Sequence, residues 1–358
     1  MKLIEHPSSF ITTELTASFR NLASEAELLK QLHPEQLAII YEQKWFQIFI
    51  PKQMNGLGLT LPEALQLEEA LAWTDGSIGW TVTLCAGAGW FVGFLDPEII
   101  PVVFNQPLVC IAGSGKTSGI ATTIADGFEI TGHWDYATGS NNATSFTANC
   151  IIEQNGVIVK NKDGSPVIKS FLFLREEVII HKNWTMMGMI ATGSNSFEVN
   201  GLKLKNNRSF SIDQRAAVLH QPIYQYPFLQ FAETTLAVNS SGMATRFLDL
   251  CKSIRQLKSN ESIYARLESA TNQFEEIRQQ FYRVVINSWE ECSGNDHISS
   301  KLLHDVSRAS KNLATISRKV VDEIYPFCGM QAANPETEIN RVWRNLHTAS
   351  QHSIFNSL

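Results

Sequence analysis

Basic charge is scarce in this chain of 358 residues: 29 lysines and arginines stand against 35 aspartates and glutamates, a formal net charge of −6. No positive field gathers phosphates, which argues against nucleic acid as a partner. Charge of either sign is modest at 18%, and 44% of residues are hydrophobic, a composition too apolar for a disordered chain. Long apolar runs are missing at the start, where Met1-Lys2-Leu3-Ile4-Glu5-His6-Pro7 meets an acid and a proline before a signal-peptide core can form. No later stretch is expected to reach the apolar length of a membrane span. The expectation is a cytoplasmic protein with no membrane partner.

Paired cysteines are also missing. Cys85, Cys110, Cys150, Cys251, Cys292 and Cys328 show no CxxC or Cys/His spacing that closes a zinc site or a redox pair. Buried, reduced thiols are expected instead. Two glycine-rich strings fail as nucleotide cradles. Gly113-Ser114-Gly115-Lys116-Thr117 ends like a P-loop, but Cys110 stands where the loop needs its first glycine, and that glycine shapes the cradle of amides. Gly87-Ala88-Gly89-Trp90-Phe91-Val92-Gly93 misses the dinucleotide spacing by one residue and puts Trp90 where a helix start must approach a pyrophosphate. HExxH, GxSxG and EF-hand patterns do not occur.

What is present is a change of period along the chain. Residues 10–104 read as helical: Leu22, Ala26, Leu29 and Leu32 fall near helical spacing, and a second amphipathic run covers 61–73 with Pro62 in its first turn. The segment 76–90 is unusually rich in glycine and alanine for a helix, which implies close backbone approach to another helix or to a ligand. From 107 to 211 short β-type runs alternate with turn residues. Asp126-Gly127, Asn155-Gly156, Asp163-Gly164 and Asn200-Gly201 are hairpin-type dipeptides. After residue 223 long amphipathic periods return at 228–257, 261–289 and 298–325, with a shorter helix after Pro335. The predicted class is α+β in three parts: an N-terminal helical domain (1–106), a middle β-barrel domain (107–213) and a C-terminal four-helix bundle (214–358).

Several segments, in fixed order, carry a resemblance. Trp184-Thr185-Met186-Met187-Gly188-Met189-Ile190-Ala191-Thr192-Gly193-Ser194 is similar to the tryptophan, glycine-methionine, threonine-glycine-serine signature of the acyl-CoA dehydrogenase superfamily. The stretch Gly132-His133-Trp134-Asp135-Tyr136-Ala137-Thr138-Gly139 resembles the strand pair that approaches the isoalloxazine ring. Over essentially its whole length the chain resembles that superfamily, closest to its two-component flavin-dependent monooxygenase branch.

The resemblance implies FAD, or reduced FMN or FAD delivered by a separate flavin reductase, and a homodimer or homotetramer, since the superfamily's flavin site crosses subunits. By the same resemblance Trp134, Tyr136, Thr138 and Gly139 form the flavin turn, with Thr138 in place of the usual serine and able to hydrogen-bond flavin N5. Residues 112–118, with Ala112 and Ser118 at its ends, cover the pyrimidine side or phosphate. Gly329 and Met330 lie in the loop that meets a neighbouring subunit's flavin.

The C-terminal Arg344-Asn345-Leu346-His347-Thr348-Ala349-Ser350-Gln351-His352 resembles the branch's ending, where a histidine stands over the flavin. Asn345 replaces the expected aspartate, so Arg344 is expected to lack that carboxylate partner. His352 is the first candidate for the catalytic imidazole and His347 the second. Five residues apart, they point about 140° from each other on a helix. Substrate is expected against Trp80, Trp90 and Gly87. The alternatives are an acyl-CoA dehydrogenase acting on CH–CH groups, which needs a carboxylate base, and a non-catalytic relative of the flavin fold. No Asp or Glu follows Glu338, leaving Glu233 as the candidate base.

Overall fold

The computed structural model describes residues 3–295 and 298–356. Three short helices, Thr13–Asn21, Ala23–Leu29 and Pro34–Glu42, precede two longer ones, α1 (Leu61–Thr74) and α2 (Gly76–Gly89). The start of α1 is set locally. Thr60 donates its backbone N–H to Glu63 Oε2 at 2.8 Å, and Pro62 sits in the first turn, where no N–H is needed. Asp75 ends α1 and caps α2, its Oδ1 accepting from the N–H groups of Ser77 (2.9 Å) and Ile78 (3.2 Å).

The small residues of α2 are explained in two ways. A methyl at Gly79 would lie 2.4 Å from Ala72 Cα, so α1 and α2 touch backbone to backbone there. A methyl at Gly87 would find only a Phe231 ring carbon, 4.0 Å away. The stretch Gly76–Phe94 is long and apolar enough to cross a membrane, contrary to the reading of the sequence, but 83% of it is buried inside the fold. It is the central core helix.

The middle third is one mixed sheet of β1 (Ile111–Ile124), β2 (Gly127–Ala137), β3 (Ser145–Gln154), β4 (Val157–Ile158), β5 (Ile168–Leu174), β6 (Ile179–His181), β7 (Asn195–Lys205) and β8 (Ser209–Phe210). Its order is β6-β7-β2-β1-β3-β5-β8, with β4 beside β3. The β1–β3 pair is parallel, and the other pairs are antiparallel. The expected barrel is corrected to an open sheet. Closure needs continuous pairing around the ring, and here β6 and β8, three and two residues long, form the two ends of the strand order. Asn200-Gly201 is likewise not a hairpin. It sits inside β7, where the β2–β7 register shifts and Gly201 takes φ of 62°, a bulge rather than a turn.

The last third holds α3 (Phe228–Ser253), α4 (Glu261–Asn295), α5 (Ser300–Ile324) and α6 (Glu338–Ala349). Where α1, α3 and α4 meet, Glu69 is fully enclosed. Its carboxylate accepts from Arg278 Nε and Nη2, both at 2.8 Å, from Tyr282 Oη at 2.8 Å and from Ser241 Oγ. Beside it Glu68 is also fully buried, and burial pushes its carboxyl up, well above its ordinary value. Removing one partner of a buried pair strands the other charge. Arg278→Met should therefore lower unfolding free energy by about 3–5 kcal/mol, and Glu69→Gln in the same chain should restore part of it. Denaturant titration of the single and double variants checks this.

Candidate active site

The flavin-type turn begins with a bulge. Trp134 pairs with Phe197 and Ala137 with Asn195, so Asp135 and Tyr136 together face Ser196 alone. The bulge puts Tyr136 at φ of 67°, a left-handed conformation that a bulky residue adopts only when its surroundings enforce it. The ring is thrown out of the sheet, 53% exposed, with Lys116 Nζ 4.6 Å from its centre and Trp184 edge-on at 6.2 Å. Three residues on, Gly139 has φ of 75°, and a methyl there would meet Cys85 Sγ of α2 at 2.7 Å. Glycine lets the turn sit directly on α2.

Thr138 is nearly buried and heads a chain of hydroxyls. Thr192 Oγ1 donates to the Met189 carbonyl at 2.8 Å, Ser194 Oγ lies 2.7 Å from Thr192 Oγ1, and Thr138 Oγ1 lies 2.8 Å from Ser194 Oγ. A carbonyl cannot donate, so the protons run one way: Thr138 to Ser194, Ser194 to Thr192, Thr192 to Met189. Thr138 Oγ1 therefore has a lone pair to offer and no proton. Ser194 and Thr192 lie within the Trp184-to-Ser194 signature, but their orienting role was not legible there.

The other wall comes from the end of the chain. His352 packs edge-on against Trp80 of α2, ring centres 5.9 Å apart. Its Nδ1 accepts from the Ile354 N–H at 3.3 Å, so the neutral ring carries its proton on Nε2. Burial holds its pKa below the ordinary 6.5. Both features converge on one stretch of helix. Trp80 meets His352, while Thr81 and Cys85 meet the Thr138–Gly139 turn, within about 7.5 Å along the α2 axis. Trp80, Leu84 and Gly87 share a face of α2, and Leu84 and Gly87 are only partly buried.

The loop within the signature is pinned to α6. Asn345 Oδ1 accepts the Met189 N–H at 2.6 Å, and Arg344 Nη1 donates to the Met187 carbonyl at 2.6 Å. A methyl at Gly188 would come 2.1 Å from the Arg344 carbonyl oxygen. With asparagine at 345, Arg344 takes its carboxylate from elsewhere: its Nη2 bonds Glu27 Oε2 at 2.9 Å, supplied from the N-terminal helices, and its Nε bonds Asn340 Oδ1 at 2.8 Å. Nothing in the local sequence marks Glu27 as that partner.

Other expected positions fall elsewhere. His347 is turned to α5, with Nε2 2.7 Å from Asp322 Oδ1, Nδ1 2.8 Å from the Trp343 carbonyl and its ring stacked on Trp343. Both nitrogens are engaged there, on α5 and on the helix's own backbone, not against Trp80. Trp90 is no cavity wall: it is 1% exposed, donates to the Ile223 carbonyl and stacks on Phe231. Trp134 fills the sheet interior with no exposed surface, stacked on Phe197, and supports the turn from beneath. Ala112 is likewise inside the sheet, whereas residues 115–118 are exposed, with Ser118 Oγ donating to the His133 carbonyl. Gly329 has φ of 70° and Met330 beside it is 84% exposed. Glu233 is buried against α5, its nearest cation Lys311 at 3.9 Å, and Glu338 is held by Arg246 at 2.7 Å and 2.9 Å.

A flavin fits the groups present on two counts: an exposed ring held by strained backbone, and a buried hydroxyl with only a lone pair to give. Residues 226–357 match the family model described as "Acyl-CoA dehydrogenase, C-terminal domain". That match and the order of helices, mixed sheet and bundle give the chain an acyl-CoA dehydrogenase-like fold. Among curated proteins the chain is similar to indole-3-acetate monooxygenase of Pseudomonas putida, 21% identical over 86% of this chain and 80% of the relative. It is also similar to the flavin-dependent monooxygenase oxygenase subunit HsaA of Mycobacterium tuberculosis, 23% identical over 95% of this chain and 89% of that one. Among solved structures, XiaF from Streptomyces sp. in complex with FADH2 and glycerol superposes with a TM-score of 0.84 at 16% identity, covering 96% of this chain and 91% of XiaF.

Because burial penalises its charged form, His352 should titrate below 6.5. The unfolded chain binds that proton at higher pH, so its contribution to stability is full above the unfolded value and is lost as pH falls through the folded one. Following the ring proton by NMR from pH 8 to 5 checks this; a midpoint at or above 6.5 contradicts it.

Proposed function

We propose that the chain is the oxygenase component of a two-component flavin monooxygenase, taking reduced FAD or FMN from a separate reductase and hydroxylating a small aromatic or heteroatom substrate with O2. The observation that carries the reading is the one-way hydroxyl chain ending at Thr138. Reduced flavin carries a proton on N5, whereas the oxidised ring offers a lone pair there. A threonine oxygen that accepts and cannot donate suits the N–H. The full-length similarity to flavin-dependent monooxygenases supports the same reading.

Bound reduced flavin supplies the electron pair that activates O2, one oxygen atom entering the substrate and the other leaving as water. The chain's own groups then divide the remaining work. Tyr136 and Trp184 shelter the ring edge, and Trp80, Leu84 and Gly87 line the substrate side. His352, neutral with its proton on Nε2, donates to an oxygen without placing a charge beside the flavin. A reactive oxygen species at this site requires that water be kept out. The reading extends to a cytoplasmic homodimer or homotetramer, in which Gly329 and the exposed Met330 meet the neighbouring subunit. Buried cysteines that form no disulfide among the described residues suit that reducing compartment.

The reading is tested by coupling. With reduced flavin supplied and a productive aromatic substrate such as indole-3-acetate or a phenol, Thr138→Val should divert most reduced-flavin oxidation to hydrogen peroxide, and Thr138→Ser should restore product. His352→Ala should raise the peroxide share as well. Full coupling in Thr138→Val and His352→Ala would remove both residues from the chemistry.

A further inference from the structure

On the outer face of the sheet, away from the hydroxyl chain, three strands bring together side chains that the proposed oxygenase chemistry does not use. His133 of β2 and Glu198 of β7 are direct cross-strand partners, and His181 of β6 lies diagonally across from Glu198. Glu198 Oε2 is 3.3 Å from His181 Nε2 and 3.6 Å from His133 Nδ1. One ligand atom from each residue lies within 4.8 Å of the other two. His181 Nε2 is shielded from solvent and, although close to Glu198, makes no hydrogen bond.

We propose that His133, His181 and Glu198 form a binding site for a zinc-class divalent cation. The geometry carries this. Nitrogen and oxygen ligands about 2.0–2.1 Å from a tetrahedral zinc stand roughly 3.4 Å from one another. Two of the three edges, at 3.3 and 3.6 Å, already have that length, so binding requires only that the two rings tilt together. The donors suit the ion: imidazole and carboxylate select borderline cations over magnesium or calcium, which prefer all-oxygen shells. His133 is also supported from behind, since its other nitrogen lies 3.5 Å from Asp135 Oδ1, and Asp135 is held by Lys116 Nζ at 3.0 Å. A carboxylate on the far nitrogen of a ligating histidine fixes its tautomer and raises its basicity. The fourth position is open to water.

The site has a structural consequence. β6 is an edge strand of three residues, and the chain leaving it runs through Asn183, whose amide donates to Ser196 Oγ at 2.9 Å, into Trp184 beside Tyr136. An ion held by His181, Glu198 and His133 clips that edge to β7 and β2 and steadies the loop next to the flavin turn.

The test uses the full-length, tag-free chain stripped with chelator and titrated with zinc chloride by calorimetry, with cobalt(II) as a spectroscopic probe. The expected result is one zinc per chain, a four-coordinate cobalt ligand-field spectrum, and a loss of affinity of about tenfold or more in each of His181→Ala, His133→Ala and Glu198→Gln. All three positions are partly exposed, and metal-free melting temperatures close to the parent show that the variants fold. All six cysteines are buried, so adventitious thiol binding is a minor competitor. Failure of the parent chain to bind zinc overturns the site and leaves the trio a cluster of ion pairs. Binding that survives all three substitutions places the ion elsewhere and equally overturns it.

Discussion

The structure depends on where one neutral amide sits. Asn345 accepts the Met189 N–H, and a methyl on Gly76 at the start of α2 would lie 3.0 Å from its side chain. The helix α6, the signature loop and the central helix therefore share one contact point. On the preceding residue, Arg344 bonds the Met187 carbonyl and Glu27, drawing the N-terminal helices to the same place. A buried N–H without its acceptor costs about 1–3 kcal/mol, and a side chain at Gly188 would strike the Arg344 backbone. The register of α6 over the sheet thus has little freedom, and that register delivers His352 to Trp80.

From this anchor the chemistry of Thr138 follows. Met189, whose N–H is held by Asn345, presents its carbonyl to Trp184 Nε1 and to Thr192 Oγ1, both at 2.8 Å. That carbonyl terminates the hydroxyl chain and sets the direction of every proton in it. The same loop fixes the indole of Trp184 near Tyr136. One pinned peptide therefore orients both the polar group and the aromatic edge of the candidate flavin seat, so a neutral asparagine far along the chain controls what Thr138 can offer.

Much of the architecture was legible in the residues. Helical periods before residue 104 and after 223, short strands between, Pro62 at a helix start, and the small-residue composition of α2 all carry local signals that the fold respects. What was not legible depends on partners distant in sequence. Whether a sheet closes is decided by its edges, and two- and three-residue end strands leave little pattern. Asn200-Gly201 has turn chemistry yet lies opposite a continuous β2, so pairing makes it a bulge. Trp90 and Trp134 look like binding aromatics by type, but their indole N–H groups are satisfied by Ile223 and Asn149 carbonyls inside cores. Glu27, 317 positions before Arg344, has no local mark at all. The two histidines were separable in principle, since their angular offset required different faces, and the structure gives His347 to Asp322 and His352 to Trp80.

The central claim is that the pinned loop leaves Thr138 an acceptor, so the site prefers a flavin that bears a proton on N5. Anaerobic titration of the full chain with reduced and oxidised FAD and FMN measures this directly. The account predicts tighter binding of the reduced form by about tenfold or more, the equivalent of roughly 1.4 kcal/mol. Oxidised flavin bound as tightly as reduced, or more tightly, would contradict it.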